Sequence, residues 1–217
     1  VFIPHNTGVP IVKPTRVFEI KNGLVLLFVA GQGLFCIDEA NNLISLNEKS
    51  GLSSPQKNSI SAVWICEGSD NNSFWMAVPG IGLYEYGYAK NKLPFLKNHF
   101  SVQHGLQSNN ILSLLTDKQN RLWVVTNTGL DILQQSKPGS WNVFNYATSN
   151  ELALNGSYYE RLATDTAGNV WLSSPDRILK FNTSKIQLYK QTPHIIIEKV
   201  LLAFKETDWS KLTDSLY

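Results

Sequence analysis

Short apolar runs alternate with polar turns along most of this chain, for example at residues 23–30, 73–78 and 121–126. The turns between the runs carry Asp or Asn together with Gly, as in residues 165–169. This combination is typical of a β-hairpin, because Gly and Asn adopt the backbone angles that tight turns require. The pattern therefore predicts short strands joined by hairpins.

Tryptophan returns at a constant interval within these runs. Trp75, Trp123 and Trp171 are each 48 residues apart, and one more step of that length towards the N terminus reaches Leu27. Around each of these positions, the sequence can be divided into four short strands. A repeat of ~40–50 residues built from four strands is typical of a β-propeller blade. Large aromatic side chains are expected between blades, since a lone sheet gains stability only by stacking.

The sequence thus predicts an all-β fold of about four four-stranded antiparallel blades, forming a partial or small propeller over residues 1–190. The predicted blades are residues 8–52, 53–106, 107–152 and 153–190.

The sequence also predicts the last strands of two blades and a strand that follows the propeller segment. The fourth strands of the second and fourth blades are predicted at residues 100–102 and 186–189. Residues 193–204 then predict one long strand, and residues 205–209 a polar connection. We interpret residues 191–217 as the truncated start of a following β-sandwich domain.

Composition narrows the classes of partner. The 217 residues are 43% hydrophobic and 17% charged, with a formal net charge of +2, so nothing favours nucleic acid or an anionic membrane as partner. No run of uncharged apolar residues is long enough for a membrane span. Cys36 and Cys66 lie in separate apolar runs, which argues against a zinc site and favours two separate cysteines over a disulfide. Their oxidation state stays open.

The residues that could contact a ligand also have structural explanations. The periodic tryptophans occupy the centres of apolar strands, which favours core packing over sugar stacking. Better surface candidates lie nearer turns: Trp141, Tyr158 and Tyr159. Three asparagines that follow Gly-Leu pairs could line one face of the predicted propeller, but turn formation is the favoured interpretation of their role: Asn58, Asn109 and Asn110. The ligand-binding residues therefore remain unknown at this point.

Catalytic, cofactor-binding and metal-binding residues are not predicted. Asp117 and Asp165 occupy equivalent hairpin positions, so they are turn formers before they are an acid/base pair. The histidines are scattered and show no metal-binding spacing: His5, His99, His104 and His194. We expect no enzyme activity and no cofactor.

One segment carries a family resemblance. Residues 105–117, continued by residues 120–126 and the pair Gly129-Leu130, resemble the two-component regulator propeller repeat. That repeat runs Gly-Leu-x-x-Asn, an acidic turn, Leu-Trp in an apolar strand, and Gly-Leu. The match is close in the third unit, good in the second and fourth, and degenerate in the first. The final strand is similar to the start of the triple-tyrosine sandwich domain that follows such propellers.

The resemblance implies a function. In that family such propellers form the periplasmic sensor region of inner-membrane histidine kinases or hybrid two-component systems. A non-catalytic region that binds a carbohydrate or another small ligand is therefore expected. The alternatives are a propeller enzyme acting on polysaccharide, either glycosidase or lyase, and a protein-interaction scaffold. An open arc of four blades would expose apolar faces, so we expect a homodimer or a tightly closed ring.

Overall fold

The structure is a computed structural model, and it describes the chain in several segments. These are residues 14–20, 23–29, 33–37, 42–46, 64–70, 72–88, 93–152, 154, 161–188, 200–202 and 205–207. Within these segments, nearly all regular structure is β-strand, as the alternating pattern predicted.

The strands form consecutive antiparallel sheets in which the spatial order of strands follows the chain. Sheet 1 contains β1 (Pro14–Glu19), β2 (Val25–Val29), β3 (Gly33–Ile37) and β4 (Leu43–Ser45). Sheet 2 contains β5 (Trp64–Glu67), β6 (Ser73–Val78), β7 (Gly82–Gly87) and β8 (Phe95–Phe100). Sheet 3 contains β9 (Ile111–Thr116), β10 (Leu122–Thr126), β11 (Gly129–Lys137) and β12 (Ser140–Thr148). Sheet 4 contains β13 (Arg161–Thr164), β14 (Val170–Ser173) and β15 (Ile178–Phe181).

Other elements are short. A 3-10 turn follows β8 at Val102–His104, and a second follows β15 at Thr183–Lys185. A single helical turn, α1 (Ser149–Leu152), follows sheet 3. None of the helices in the described segments is long and apolar enough to cross a membrane.

Hydrophobic clusters join neighbouring sheets face to face. The cluster between sheets 1 and 2 contains Phe28 and Phe74, and the cluster between sheets 2 and 3 contains Trp75 and Leu122. A third cluster joins sheets 3 and 4 around Trp123. Sheets 2 and 3 therefore each bury their two faces against different neighbours, which is the stacking expected for propeller blades.

The periodic tryptophans lie on the second strand of their sheets, and Trp75 and Trp123 are on the face that points to the following sheet. Trp75 and Trp123 are fully buried, so core packing is confirmed for both. Trp171 is only half-buried. Its indole lies on the face of sheet 4 away from sheet 3, under the ammonium of Lys180 at 4.9 Å from the ring centroid.

The alignment of Leu27 with these tryptophans is wrong by one residue. Leu26 packs in the cluster that faces sheet 2, whereas Leu27 belongs to a cluster with Val29 and Phe35 on the opposite face. Successive side chains of a strand point to opposite faces, so a slip of one position exchanges the faces. The extra residue responsible lies in the first hairpin of sheet 2, where six residues (68–73) replace the five (117–121) of sheet 3.

Two predicted fourth strands also differ from the structure. In sheet 2 the fourth strand is β8, and residues 101–102 end it because the Ser101 hydroxyl accepts from the backbone N–H of Gln103 and starts a 3-10 turn. The charged and exposed sequence of β8 concealed it, since an edge strand needs no apolar alternation. In sheet 4, residues 186–188 follow the second 3-10 turn and form no strand, while Tyr189 lies outside the described residues.

The C-terminal residues form a hairpin rather than one strand. β16 (Val200–Leu202) pairs antiparallel with β17 (Lys205–Thr207). The predicted connection therefore contains a strand, while residues 193–199 of the predicted long strand lie outside the described segments. The four sheets fall inside the four predicted units, whose boundaries remain predictions, as does the sandwich domain.

Candidate functional site

The first strands of sheets 2, 3 and 4 lie beside one another. β9 is adjacent to both β5 and β13. Its side chains hold these neighbours: the Thr116 hydroxyl donates to the carbonyl of Glu67 at 2.6 Å, and the Ser113 hydroxyl accepts from the N–H of Leu162 at 3.1 Å. The backbones of β5, β9 and β13 do not pair, because these strands belong to different sheets. Polar side chains on β9 therefore make the hydrogen bonds between them.

Two arginines and one tryptophan meet among these first strands, and we call them the Arg–Trp cluster: Arg16, Trp64 and Arg161. The guanidinium carbon of Arg161 lies 4.2 Å from the centroid of the Trp64 ring, and that of Arg16 lies 5.4 Å from it. The residues come from β1, β5 and β13, so three different sheets contribute. Trp64 and Arg161 are half-buried, and Arg16 is exposed.

Two like charges meet in the Arg–Trp cluster. Burial lowers the pKa of Arg161, and the positive charge of Arg16 lowers it further. An arginine guanidinium is a permanent cation in proteins. The indole face attracts each cation through its quadrupole. The cluster therefore brings two positively charged groups to one indole.

Two histidines that looked scattered in the sequence are brought together. His99 stacks on Tyr84 with ring centroids 4.5 Å apart, and its ring lies 5.6 Å from that of His104. His104 caps the 3-10 turn, since its Nδ1 accepts from the N–H of Ser101 at 3.2 Å. Burial lowers the pKa of His99. His5 and His194 lie outside the described residues.

Asp117 is a turn former, as predicted, and it does more. Its carboxylate accepts from the backbone N–H groups of Gln119 and Arg121, from the Arg121 Nε at 2.7 Å and from the Trp123 indole at 2.8 Å. The hairpin acid therefore holds the periodic tryptophan six residues later. This role is visible in the sequence only as a fixed spacing between Asp and Trp.

Asp165 repeats this arrangement in sheet 4. Its carboxylate accepts from Asn169 and, at 2.9 Å, from the Trp171 indole. These hydrogen bonds hold the pKa of Asp165 at about 2. Asp117 and Asp165 thus belong to separate hairpins, each bound to its own tryptophan.

The other candidates that the structure describes also have structural contacts. The indole of Trp141 donates to Glu85 at 3.1 Å and lies edge-on to Trp75 at 5.0 Å. The side chain of Asn109 accepts from the Val102 N–H at 2.9 Å, and the carbonyl of Asn110 accepts from the Asn127 N–H at 3.1 Å. Three candidates lie outside the described residues: Asn58, Tyr158 and Tyr159.

A buried carboxylate that sequence reasoning missed lies on β11. Asp131 is fully buried, and it accepts from the N–H and side-chain amide of Gln107 and from the side-chain amide of Asn145. Burial nevertheless raises its pKa. It ties the Gly-Leu turn to sheet 3, so its surroundings are those of a structural residue.

The two cysteines are separate, as favoured. No disulfide joins them: Cys36 is buried in sheet 1, and Cys66 lies on β5. Burial raises the pKa of the Cys66 thiol to about 12. Among the described residues, no group of three or more His, Cys, Asp or Glu side chains could hold a metal ion.

Comparison with known proteins supports the repeat and the fold. Residues 105–128 match the two-component regulator propeller family, so this segment is such a repeat. No curated protein matches the chain.

Solved structures share the architecture. One is the extracellular domain of a proposed hybrid two component system, BT3049 from B. thetaiotaomicron, at 22% identity and a TM-score of 0.59, covering 84% of this chain and 23% of that one. A second is that of BT4673 from the same organism, at 17% identity and a TM-score of 0.57, covering 79% and 23%. A streptogramin B lyase reaches 14% identity and a TM-score of 0.50, covering 83% and 55%. The chain thus spans about a quarter of the two extracellular-domain structures, and these likenesses establish the propeller-blade fold.

Proposed function

We propose that this chain belongs to the extracytoplasmic, periplasmic sensor region of a two-component signal transduction protein and binds a small ligand without turning it over. The observation that carries the proposal is the two-component regulator propeller repeat at residues 105–128. The fold shared with two extracellular domains of hybrid two component systems supports it. The kinase output would lie elsewhere in the parent protein, and carbohydrate is the first ligand class to test.

A ligand can act as a signal in such a region only through a difference in affinity between two states. In the described segments, the Arg–Trp cluster is suited to this, because it joins side chains from β1, β5 and β13. A ligand there would contact several sheets at once. Its binding would change how those sheets are held relative to one another.

The experiment that tests this proposal separates binding from turnover. The purified chain is titrated by calorimetry with a panel of glycans and sugar acids, and the same mixtures are analysed for products. Binding without product supports the sensor function. Turnover that disappears when a carboxylate is substituted contradicts it and favours the propeller enzyme. Binding of a protein partner without any small ligand favours the scaffold.

We further propose that the chain forms a homodimer or a closed ring. On sheet 4, Ile178 is 69% exposed and lies on the same face as the half-buried Trp171, away from sheet 3. These two apolar side chains share that face with Lys180, and exposed apolar groups are often found at interfaces. Light scattering tests the assembly: an open monomer that remains monodisperse contradicts it.

A further inference from the structure

We propose that His99 and His104 form an acid-sensitive switch in the segment that joins sheet 2 to sheet 3. The observation behind the proposal is that the two imidazole rings meet, with centroids 5.6 Å apart, where β8 ends and the first 3-10 turn begins. One ring caps this turn, and the other stacks on the neighbouring strand β7. The switch is independent of the ligand in the proposed sensor function.

The cap made by His104 requires a neutral imidazole. Its Nδ1 atom lies 3.2 Å from the backbone nitrogen of Ser101 and 2.9 Å from the Ser101 hydroxyl. Because a backbone N–H only donates, Nδ1 must accept and carries no proton. In the imidazolium form both ring nitrogens are donors. The Ser101 hydroxyl can then reverse its role and accept, but the backbone N–H of Ser101 loses its acceptor.

His99 is held in the neutral form by its surroundings. Its Nε2 atom is buried and makes no well-directed hydrogen bond among the described residues. Burial lowers the pKa of His99; the backbone of Ile81 acts in the opposite direction, and the charge that His104 acquires lowers the pKa again. Protonation of either histidine therefore opposes protonation of the other.

No carboxylate forms an ion pair with either ring in the part of the chain that the structure describes. On β7, Tyr84 stacks on His99 at 4.5 Å, and it stays neutral because burial raises its pKa. The nearby charged residues of β7 and β8, Glu85 and Lys97, pair with each other at 3.3 Å. Two imidazolium ions at the start of the turn would therefore repel each other.

The turn that His104 caps leads into the contact between two sheets. The carbonyl of Gly105 accepts from the side chain of Asn145 on β12 at 2.9 Å. The next residue, Leu106, is buried in the cluster between sheets 2 and 3. Loss of the cap releases the start of this linker, so acid should weaken the connection between the two sheets.

The direction of the pH dependence follows from the lowered pKa of His99. The neutral ring stabilises the closed linker above about pH 6.5, the ordinary pKa of histidine, and this stabilisation is lost as pH falls towards the lower folded-state pKa. Asp131 holds the far end of the linker by accepting from the N–H of Gln107. Its pKa is raised, so its contribution changes with pH in the opposite direction. Acid weakening of the linker is therefore assigned to the histidines.

The test measures backbone hydrogen exchange by NMR in the 217-residue chain, with each rate divided by that of an unstructured peptide at the same pH. The probes are the amides of residues 104–106, which donate to the carbonyls of Ser101 and Val102. Their protection should fall about tenfold between about pH 7.5 and about pH 5, as expected for a lost hydrogen bond. The internal control is the amide of Lys185, which lies in the second 3-10 turn and donates to the carbonyl of Asn182.

Substitutions assign the response to the two rings. His104→Gln keeps the cap, because a glutamine at this position of a capping box also accepts from the N-cap N–H, and it does not titrate. The acid response of the probes should therefore fall to about twofold or less. His99→Phe keeps a ring against Tyr84 and removes the buried nitrogen, so it should reduce the response in part. His104 is exposed, so its substitution disturbs packing least, and circular dichroism confirms that each variant is folded.

The outcomes either support the switch or overturn it. Loss of protection in acid that His104→Gln removes supports it. Equal protection of the probes at both pH values overturns it, and so does an undiminished response in the His99→Phe/His104→Gln double variant. A fall in protection at Lys185 as large as that at the probes means that the whole chain loosens in acid, which also overturns the switch.

Discussion

Substitution of Asp117 should remove a large part of the stability of sheet 3. The residue is buried, and its carboxylate pairs with the buried guanidinium of Arg121 at 2.7 Å. It also accepts from the Trp123 indole and from two backbone N–H groups. Asp117→Ala leaves a buried cation without its partner, which typically costs ~3–5 kcal/mol. We expect the free energy of unfolding to fall by that amount.

The assay is urea unfolding at neutral pH, followed by tryptophan fluorescence and by circular dichroism. A loss of ~4 kcal/mol at a slope of about 2 kcal/mol per molar urea moves the midpoint by about 2 M. The slope itself should stay the same, because the surface exposed on unfolding does not change. Coincident transitions by the two probes are required for this treatment.

A matched control lies in the next sheet. Asp165 binds the Trp171 indole as Asp117 binds that of Trp123, but it has Asn169 in place of an arginine. Asp165→Ala should therefore destabilise the protein less. The reasoning is refuted if Asp117→Ala lowers stability by under ~1 kcal/mol, or if the two variants are equally destabilised.

Three further results are expected. Trp123→Phe should lower the free energy of unfolding by about 1–2 kcal/mol more than Trp75→Phe in the same urea assay. The Trp123 indole loses a hydrogen bond to Asp117, whereas the Trp75 indole N–H has no hydrogen-bond partner among the described residues. Equal losses would contradict this. In urea unfolding between pH 2 and pH 7, Asp131 and Asp165 should act with opposite signs. Asp131 has a raised pKa in the folded state, so compared with Asn it stabilises the fold below pH ~4, and this stabilisation is lost as pH rises through the folded-state pKa. Asp165 has a lowered pKa, so it stabilises the fold above pH ~4, and this stabilisation is lost as pH falls towards about 2. The Cys66 thiol, with a pKa of about 12, should resist iodoacetamide at pH 8 until urea unfolds the chain, as mass spectrometry would show; rapid labelling of the folded protein would contradict the raised pKa of this thiol.

The local part of the fold could be predicted from the sequence. The Asp-to-Asn turn before Trp123 and the apolar strand around it are consequences of backbone angles and of strand alternation. Trp75 and Trp123 lie on the second strands of their sheets and are buried, as the interval predicted. These features depend on residues within one hairpin, so the local sequence is enough to predict them.

Features that depend on several sheets could not be predicted. Arg16 and Arg161 are far apart in the chain, and their meeting at Trp64 follows from how four sheets are placed. A single inserted residue in a hairpin made Leu27 look equivalent to Trp75, since spacing alone does not show which face a side chain occupies. Periodicity therefore identifies strands more reliably than it identifies their outward and inward residues.

The hairpin that contains Arg121 also restricts how the protein can move. Besides pairing with Asp117, Arg121 donates from Nη2 to the carbonyl of Thr183 at 2.9 Å, and the Thr183 hydroxyl donates to the carbonyl of Gly168. Arg121 thus links the turn of sheet 3 to the 3-10 turn after β15, and Thr183 links that turn to the first hairpin of sheet 4. Sheets 3 and 4 should consequently tilt together as one unit, and a displacement started at β13 would be carried into β9 rather than absorbed between them.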